Sequence, residues 1–285
     1  MRPDRLASIL VVRPLIGLGV IQPKPGIPIL MYHSVSDDSE VGVAPYYRLT
    51  TSPARFRQQM LWLREAGYRS IDLTEACRRL ESDTGGTERV VVVTFDDGFE
   101  DFLTGAWPVL NELKLSATVF LPTAFIGDRR KSFRGRNCLT WAEVERLCEC
   151  GVSFGAHTVN HSRLHELPWE EVQRELRDSR ARLEDHLQLP VETFAYPYAF
   201  PQEDHEFVAR FRDELQASGY RAAVTTAIGR ALPTDDRLCL KRLPANECDD
   251  EPLFRSKLEG GYDWVGRFQG MFRLAKRHSR VFTDA

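Results

Sequence analysis

The chain has no Cys-x-x-Cys pair. Its six cysteines, Cys77, Cys138, Cys148, Cys150, Cys239 and Cys248, are scattered, and only Cys148 and Cys150 lie close together. That spacing argues against a cysteine-bound structural zinc and favours reduced thiols, hence a cytoplasmic setting. Charge of one sign is missing as well. Against 41 Asp plus Glu stand 38 Lys plus Arg, a net charge of -3, which leaves no electrostatic footprint for nucleic acid. A long apolar run is the third absence. Leu6 to Ile21 is mostly apolar and follows Arg2 and Arg5, as the start of a signal peptide would, but Arg13 and Pro14 interrupt it. No small-x-small cleavage site follows, and the stretch is too short and too polar to span a bilayer. The expectation is a retained segment that packs on the domain or on a membrane surface, with cleaved export as the competing reading. Repeats, low-complexity tracts and Pro/Gly/Ser linkers are also lacking, so the chain reads as one domain with an N-terminal apolar segment over 1–27, a core over 28–250 and a helical tail over 251–285.

What is present is an alternation of strand and helix signals. Pro28–His33 is a short apolar run. Ser52-Pro53 opens a helix that Gly67 stops, with Ser52 as cap and Pro53 at the first helical position. Tyr68 to Leu73 reads as a strand, and Thr74 caps a short helix through Leu80. Val90 to Phe95 carries four consecutive valines, as a strand buried on both faces would. Phe102 to Leu113 is helical, Ala117 to Leu121 a strand, and Pro122 to Gly135 a long loop. Thr140-Trp-Ala-Glu143 is a capping box, followed by a strand over Val152–Ala156 and a charged amphipathic helix over Trp169–Leu187. Glu192–Tyr196, Arg221–Thr225 and Leu238–Leu240 are further strands, with a helix over Glu203–Ala217. Such alternation implies right-handed βαβ units and a parallel sheet, open or closed into a barrel.

In parallel α/β sheets functional groups gather where strands end. Here the strand ends carry His33, Asp96-Asp97, His157 and the Tyr196-Pro197-Tyr198 turn. Two adjacent carboxylates raise each other's pKa unless a cation or proton lies between them. One of them can hold a metal while the other accepts a proton; the competing role is a helix N-cap. Gly98 lets the backbone turn sharply beside a ligand. His157-Thr-Val-Asn-His161 spaces two imidazoles four residues apart, which on a helical turn points both to one side. His165 continues that spacing. One Asp and two His leave coordination positions open, as catalytic metal sites do. Non-haem iron oxygenases use a similar set, but on double-stranded β-helix folds, not on a βα alternation.

Thr94-Phe-Asp-Asp-Gly98 and His157-Thr-Val-Asn-His161 resemble the first two signature motifs of the polysaccharide deacetylases, the nodulation-protein-B-like carbohydrate esterases of family four. Phe194-Ala-Tyr-Pro-Tyr198 resembles the third, and Pro28-Ile-Leu-Met-Tyr-His33-Ser-Val resembles the first strand of the subgroup acting on exopolysaccharides. The resemblance runs from Pro28 to Asn246. It implies a distorted (β/α) barrel of about seven parallel strands that removes N-acetyl groups from N-acetylglucosamine-containing glycans. It further implies a divalent metal, commonly zinc, on Asp97, His157 and His161, with Asp96 as the base that activates water. The backbone amide of Tyr198 would stabilise the oxyanion. Tyr196, Pro197, Phe200 and Arg242 are expected near the substrate.

The sequence departs from the family pattern in two places. Ala195 and Tyr196 precede Pro197 where an arginine that orients the base is common, and no histidine follows Leu238 in the expected Leu-x-His. His33 is the expected replacement acid, and Arg242 the expected source of positive charge near the base. Two rival functions follow: a sugar-binding barrel that has lost turnover, and a hydrolase of small amides or imides on the same fold. Trp141, Trp169 and Trp264 are candidates to stack on sugar rings, but Trp141 and Trp169 sit at helix starts, where packing is the expected role; Phe133 and Phe200 are expected to contact substrate from loops.

Overall fold

The computed structural model describes residues 2–44, 47–82, 88–266 and 268–269 of the chain. Seven parallel strands form a ring: β1 (Ile29–Tyr32), β2 (Val90–Phe95), β3 (Thr118–Leu121), β4 (Ser153–Ala156), β5 (Thr193–Ala195), β6 (Ala222–Ile228) and β7 (Leu240–Pro244). Each pairs with the next, and β1 closes the ring by pairing with both β2 and β7. At this seam Leu30 stands opposite Val93 on one side and Leu243 on the other. The expected distorted barrel is the architecture observed. A further short strand, Arg69–Ser70, pairs with Val90 and Val91, on the edge of β2 that β3 reaches only at Thr94 and Phe95. It is all that forms of the strand expected over Tyr68–Leu73.

The helices are α1 (Pro53–Glu65), α2 (Leu73–Glu81), α3 (Trp107–Leu113), α4 (Trp141–Glu149), α5 (Trp169–Leu187), α6 (His205–Ala217) and α7 (Glu251–Leu258). Ser52 caps α1 by accepting from the Arg55 amide at 3.2 Å. The Thr140 amide donates to Glu143 at 2.9 Å, completing the capping box of α4. α2 differs from expectation: Asp72, not Thr74, is its cap, accepting from the Glu75 amide at 2.7 Å. Thr74 lies inside the first turn, where its hydroxyl faces no free amide in the capping direction. The run from Phe102 starts as a wide π turn, Phe102–Ala106, before α3. There Gly105 presses against the Val35 carbonyl, and a Cβ would not fit. The long loop expected over 122–135 contains half of a β-hairpin, in which Ser132–Phe133 pairs with Arg136–Asn137. Its turn residues, Arg134 and Gly135, have φ of 50° and 78°, as a type I′ turn requires.

The two-residue period of a strand decides which side chains point inward. Ile29, Val90, Val92, Phe120, Ala195, Val224 and Leu240 form one buried column, closed at one end by Leu73, Ala76, Cys77 and Leu80 of α2. Their neighbours Leu30, Val91, Val93, Val119, Phe194 and Ala223 pack in the larger core with the helices. Continuing the inward parity to the far end of each strand reaches Thr94 in β2 and Asp96 just after it, His33 after β1, His157 after β4 and Arg242 in β7.

Residues 3–17 form a helix with a π turn in its middle. It docks through polar contacts: Arg2 to Asp249, Arg5 to Asp250, Tyr262 to Asp4 and Trp264 to Ser8. Leu10, Val11, Leu18 and Val20 remain exposed. Among the described residues no helix is long and apolar enough to cross a membrane. The tail is helical over Glu251–Leu258, and its part beyond 269 lies outside the described residues. All six cysteines are free.

Candidate active site and metal centre

Adjacent residues of a strand point to opposite faces, so Asp96 and Asp97 would diverge if β2 continued. It does not. Asp97 has a φ of 71° and Gly98 of 61°, and this left-handed turn brings Asp97 back over the barrel mouth beside Asp96. Asp97 is 1% exposed, and both its carboxylate oxygens lack a hydrogen-bond partner among the described residues. A buried carboxylate without a partner is costly.

The groups that face it are imidazoles. Nε2 of His157 lies 3.6 Å and Nε2 of His161 lies 3.1 Å from Asp97 Oδ1. The shorter approach is out of hydrogen-bond alignment, so Oδ1 stays unsatisfied. One donor atom from each of the three residues lies within 4.8 Å of the others. His157 Nδ1 sits 2.7 Å from the Ala195 carbonyl oxygen. A carbonyl only accepts, so Nδ1 carries the proton and Nε2 turns its lone pair toward Asp97. Burial, helped by the neighbouring His161, pushes His157 down to about 4 against the pull of the two aspartates. Burial alone would raise Asp97, but His161, His33 and His157 outweigh it and hold the carboxyl well below its ordinary range. A neutral imidazole lone pair and an ionised, unpartnered carboxylate are what a divalent cation needs, and three protein ligands leave positions open. The residues present fit the group.

The loop that carries the histidines is not the helical turn expected from their spacing. Residues 157–161 form no helix; Thr158 and His161 take φ of 67° and 54° instead. What holds this shape is Glu175 of α5, which the sequence reading passed over. Its buried carboxylate accepts from the Val159 amide (2.7 Å), the Asn160 amide (3.0 Å), Asn160 Nδ2 (2.7 Å) and Ser162 Oγ (3.1 Å). A signal existed: Glu175 stands in the inward stripe of α5 with Val172, Leu176, Ser179 and Leu183. His165 does not join the donors; its Nδ1 pairs with the Tyr196 hydroxyl at 3.2 Å.

Asp96 has the opposite environment from Asp97. Arg242 grips it with two parallel bonds, Nη1–Oδ1 and Nη2–Oδ2, both 2.7 Å. Arg242 is 1% exposed and is itself fixed by the Thr225 carbonyl at 3.0 Å and Thr94 Oγ1 at 3.2 Å. Burial would raise Asp96, yet Arg242 first and His157 next keep its carboxyl below the usual range. The guanidinium missing from the turn before Pro197 is thus supplied by β7, at the next inward position above Leu240. Arg242 thus lies where positive charge near the base was expected, buried under Asp96 rather than on an open face where a substrate contact was expected.

Three other expected substrate contacts change place too. Tyr196 and Phe200 are 1% and 3% exposed, packed edge to face at 4.9 Å, because their turn folds back onto α6. Pro197 is buried beside them. Tyr198 is only half-buried. It has a φ of 58°, its ring lies 4.6 Å from that of His161, and its amide finds no acceptor among the described residues. His33 is half-buried at the end of β1, close enough to help lower both aspartates. Phe133 of the hairpin packs 4.9 Å from His161 and walls the site. Trp141 and Trp169 pack, as expected: Trp141 stacks on His186 at 3.8 Å and Trp169 meets Phe207, while Trp264 donates to Ser8 Oγ.

Comparison with known proteins agrees with this geometry. Residues 83–223 match the sequence profile described as polysaccharide deacetylase. YxkH of Bacillus subtilis, assigned by its name to the polysaccharide deacetylases, is 29% identical over 221 residues, covering 76% of this chain and 70% of that protein. The poly-beta-1,6-N-acetyl-D-glucosamine N-deacetylase of Escherichia coli K12 is 26% identical over 167 residues, covering 58% of this chain but only 21% of the relative. Among solved structures, the Streptococcus pyogenes deacetylase PplD in complex with acetate superposes with a TM-score of 0.69 at 28% identity, covering 83% of this chain and 99% of that one.

Proposed function

The chain belongs to the polysaccharide deacetylase family, and from that premise we propose that it removes N-acetyl groups from N-acetylglucosamine units of a poly- or oligosaccharide. The observation that carries the reading is the pair of unlike aspartates: Asp97 ionised, buried and unpartnered between two imidazoles, Asp96 clamped by Arg242 beside it. Asp97, His157 and His161 would hold a divalent cation, with zinc suited to two nitrogens and one oxygen; when bound it supplies Lewis-acid activation of water and of the acetamide carbonyl.

The remaining work belongs to the chain's own groups. Asp96, ionised and oriented by Arg242, takes a proton from water as the oxygen adds to the acetamide carbon. The free Tyr198 amide donates to the developing oxyanion. His33 passes a proton to the sugar nitrogen, the C–N bond breaks, and acetate and a free amine leave. The acetate in the PplD structure is the product this reaction would yield. Acetate release from N-acetylglucosamine oligomers should appear with zinc, vanish with a chelator and be lost in Asp96→Asn; zinc-loaded protein that releases none would overturn the reading.

A location can be proposed on separate grounds. Free thiols and the exposed Leu10, Val11, Leu18 and Val20 support a cytoplasmic enzyme that touches a membrane surface through its N-terminal helix. Co-sedimentation with anionic vesicles, weakened by Leu10→Ser/Val11→Ser, tests this.

A further inference from the structure

Tyr198 is the meeting point of three loops, and two cations lie against it. The guanidinium carbon of Arg134, at the hairpin tip, is 5.0 Å from the centre of its ring, and that of Arg163, two residues beyond His161, is 4.5 Å away. Neither has a close carboxylate partner among the described residues. Arg134 contacts only the rings of Phe133 and Tyr198 among the described residues, and Arg163 reaches no carboxylate nearer than Glu166 at 3.9 Å, with both side chains more than half exposed. Elsewhere at this end the arginines are occupied: Arg130 by Glu143, Arg136 by Ser34, Thr50 and Asp38, and Arg242 by Asp96. A cation over an exposed aromatic face gains little, so the ring alone does not account for two like charges held together. A guanidinium stacked on a ring keeps its N–H edge free for an oxyanion.

We propose that Arg134 and Arg163 form an anion subsite beside the scissile sugar, selecting N-acetylated glycans whose neighbouring unit carries a carboxylate or a phosphate. This rests on the deacetylase reading and names its substrate class. The test compares zinc-loaded protein on neutral N-acetylglucosamine oligomers with heparosan oligosaccharides, in which N-acetylglucosamine alternates with glucuronate, and on the same sugar carrying a phosphodiester. The acidic substrates should be preferred by about tenfold or more in kcat/KM, with the preference shrinking as salt rises. Arg134→Gln/Arg163→Gln should raise KM on the preferred substrate and leave the neutral one unchanged. Which acidic arm responds identifies the anion. In the chelated protein, calorimetric affinity for the acidic oligomer should fall by a similar factor in the double variant. Equal turnover of neutral and acidic oligomers by the wild type, or unaltered affinity in the variant, would overturn the subsite. Turnover of neither would instead bring down the deacetylase reading.

A separate observation concerns Glu175. Its four hydrogen bonds all go to residues lying between or just after the two histidines, and two of the residues in that loop are left-handed. We infer that Glu175 is a positioning residue for the metal ligands. Glu175→Gln should weaken zinc affinity, read by chelator competition, by about ten- to a hundredfold, and Glu175→Asp should recover part of it. If Gln prevents folding, Ser162→Ala must shift affinity in the same direction. A lowered melting temperature with unchanged zinc affinity would mark the residue as merely structural and refute the inference.

Discussion

Two clusters of buried charge sit in this protein and differ in one respect. At the mouth of the barrel, Asp97 and His161 carry atoms with no partner. At the docking face of the N-terminal helix, Asp249 receives Lys257 at 2.6 Å and Arg2 at 3.1 Å, Asp4 receives Arg2 and Tyr262, and Lys257 also donates to the Pro244 carbonyl. The second cluster is complete in itself. The first leaves at Asp97 a carboxylate that a cation would satisfy. Burial of charge alone therefore does not mark a functional site; unsatisfied burial does.

The sharpest way to break this contrast is Asp97→Asn. Removing an uncompensated charge should abolish zinc binding and acetate release yet leave the metal-free protein as stable or more so, measured by thermal unfolding with chelator present. His33→Ala comes next. If His33 is the acid, kcat should fall by about 10²–10⁴ and the alkaline limb of the pH profile should disappear; near-normal turnover would remove the assignment. Arg242→Met strips Asp96 of its clamp, and leaving one member of a buried pair alone should cost about 3–5 kcal/mol in denaturant unfolding, together with loss of turnover. Lys257→Met should also destabilise by a few kcal/mol but leave kcat unaltered, because its cluster does no chemistry. The smallest effect is in pH. Burial would raise Asp4 and Asp250, but Arg2 with Tyr262, and Arg5, outweigh it and hold both carboxyls low. Groups so depressed stabilise the fold above their unfolded pKa, about 4, and stop doing so as pH falls through their folded values. Hydrogen exchange over residues 3–17 should therefore quicken in acid before that of the barrel.

What was legible in the sequence was local. Four valines announced β2, and the polar residues just past the strands marked its working end. Parity along a strand was enough to send Asp96, His33 and His157 inward. What was illegible depended on distance along the chain. Arg242 meets Asp96 across 146 positions; the missing arginine before Pro197 suggested its charge near the base, but nothing near either residue declares the two-bond clamp or its depth. Tyr196, read as a strand end, and Phe200, read as a loop residue, were both expected near the sugar, but the turn folds onto α6 and buries them. Arg134 was hidden in what read as a long loop, from which only Phe133 was expected to reach the site, although the Arg-Gly step is compatible with the tight hairpin turn found there. The spacing of His157 and His161 led to the right pair for the wrong reason, since left-handed residues and Glu175, not a helix, bring them together.

Asp97, Thr158, His161 and Tyr198 all hold left-handed backbones without being glycine, a conformation that costs roughly 1–3 kcal/mol at each such residue. The enzyme thus keeps its tension where it works. A search for heat-tolerant variants would be drawn to these positions, since Thr158→Gly offers easy relief. The same relief would slacken the grip on the cation, so hardening this protein without dulling it means working at the α2 end of the barrel and leaving its mouth alone.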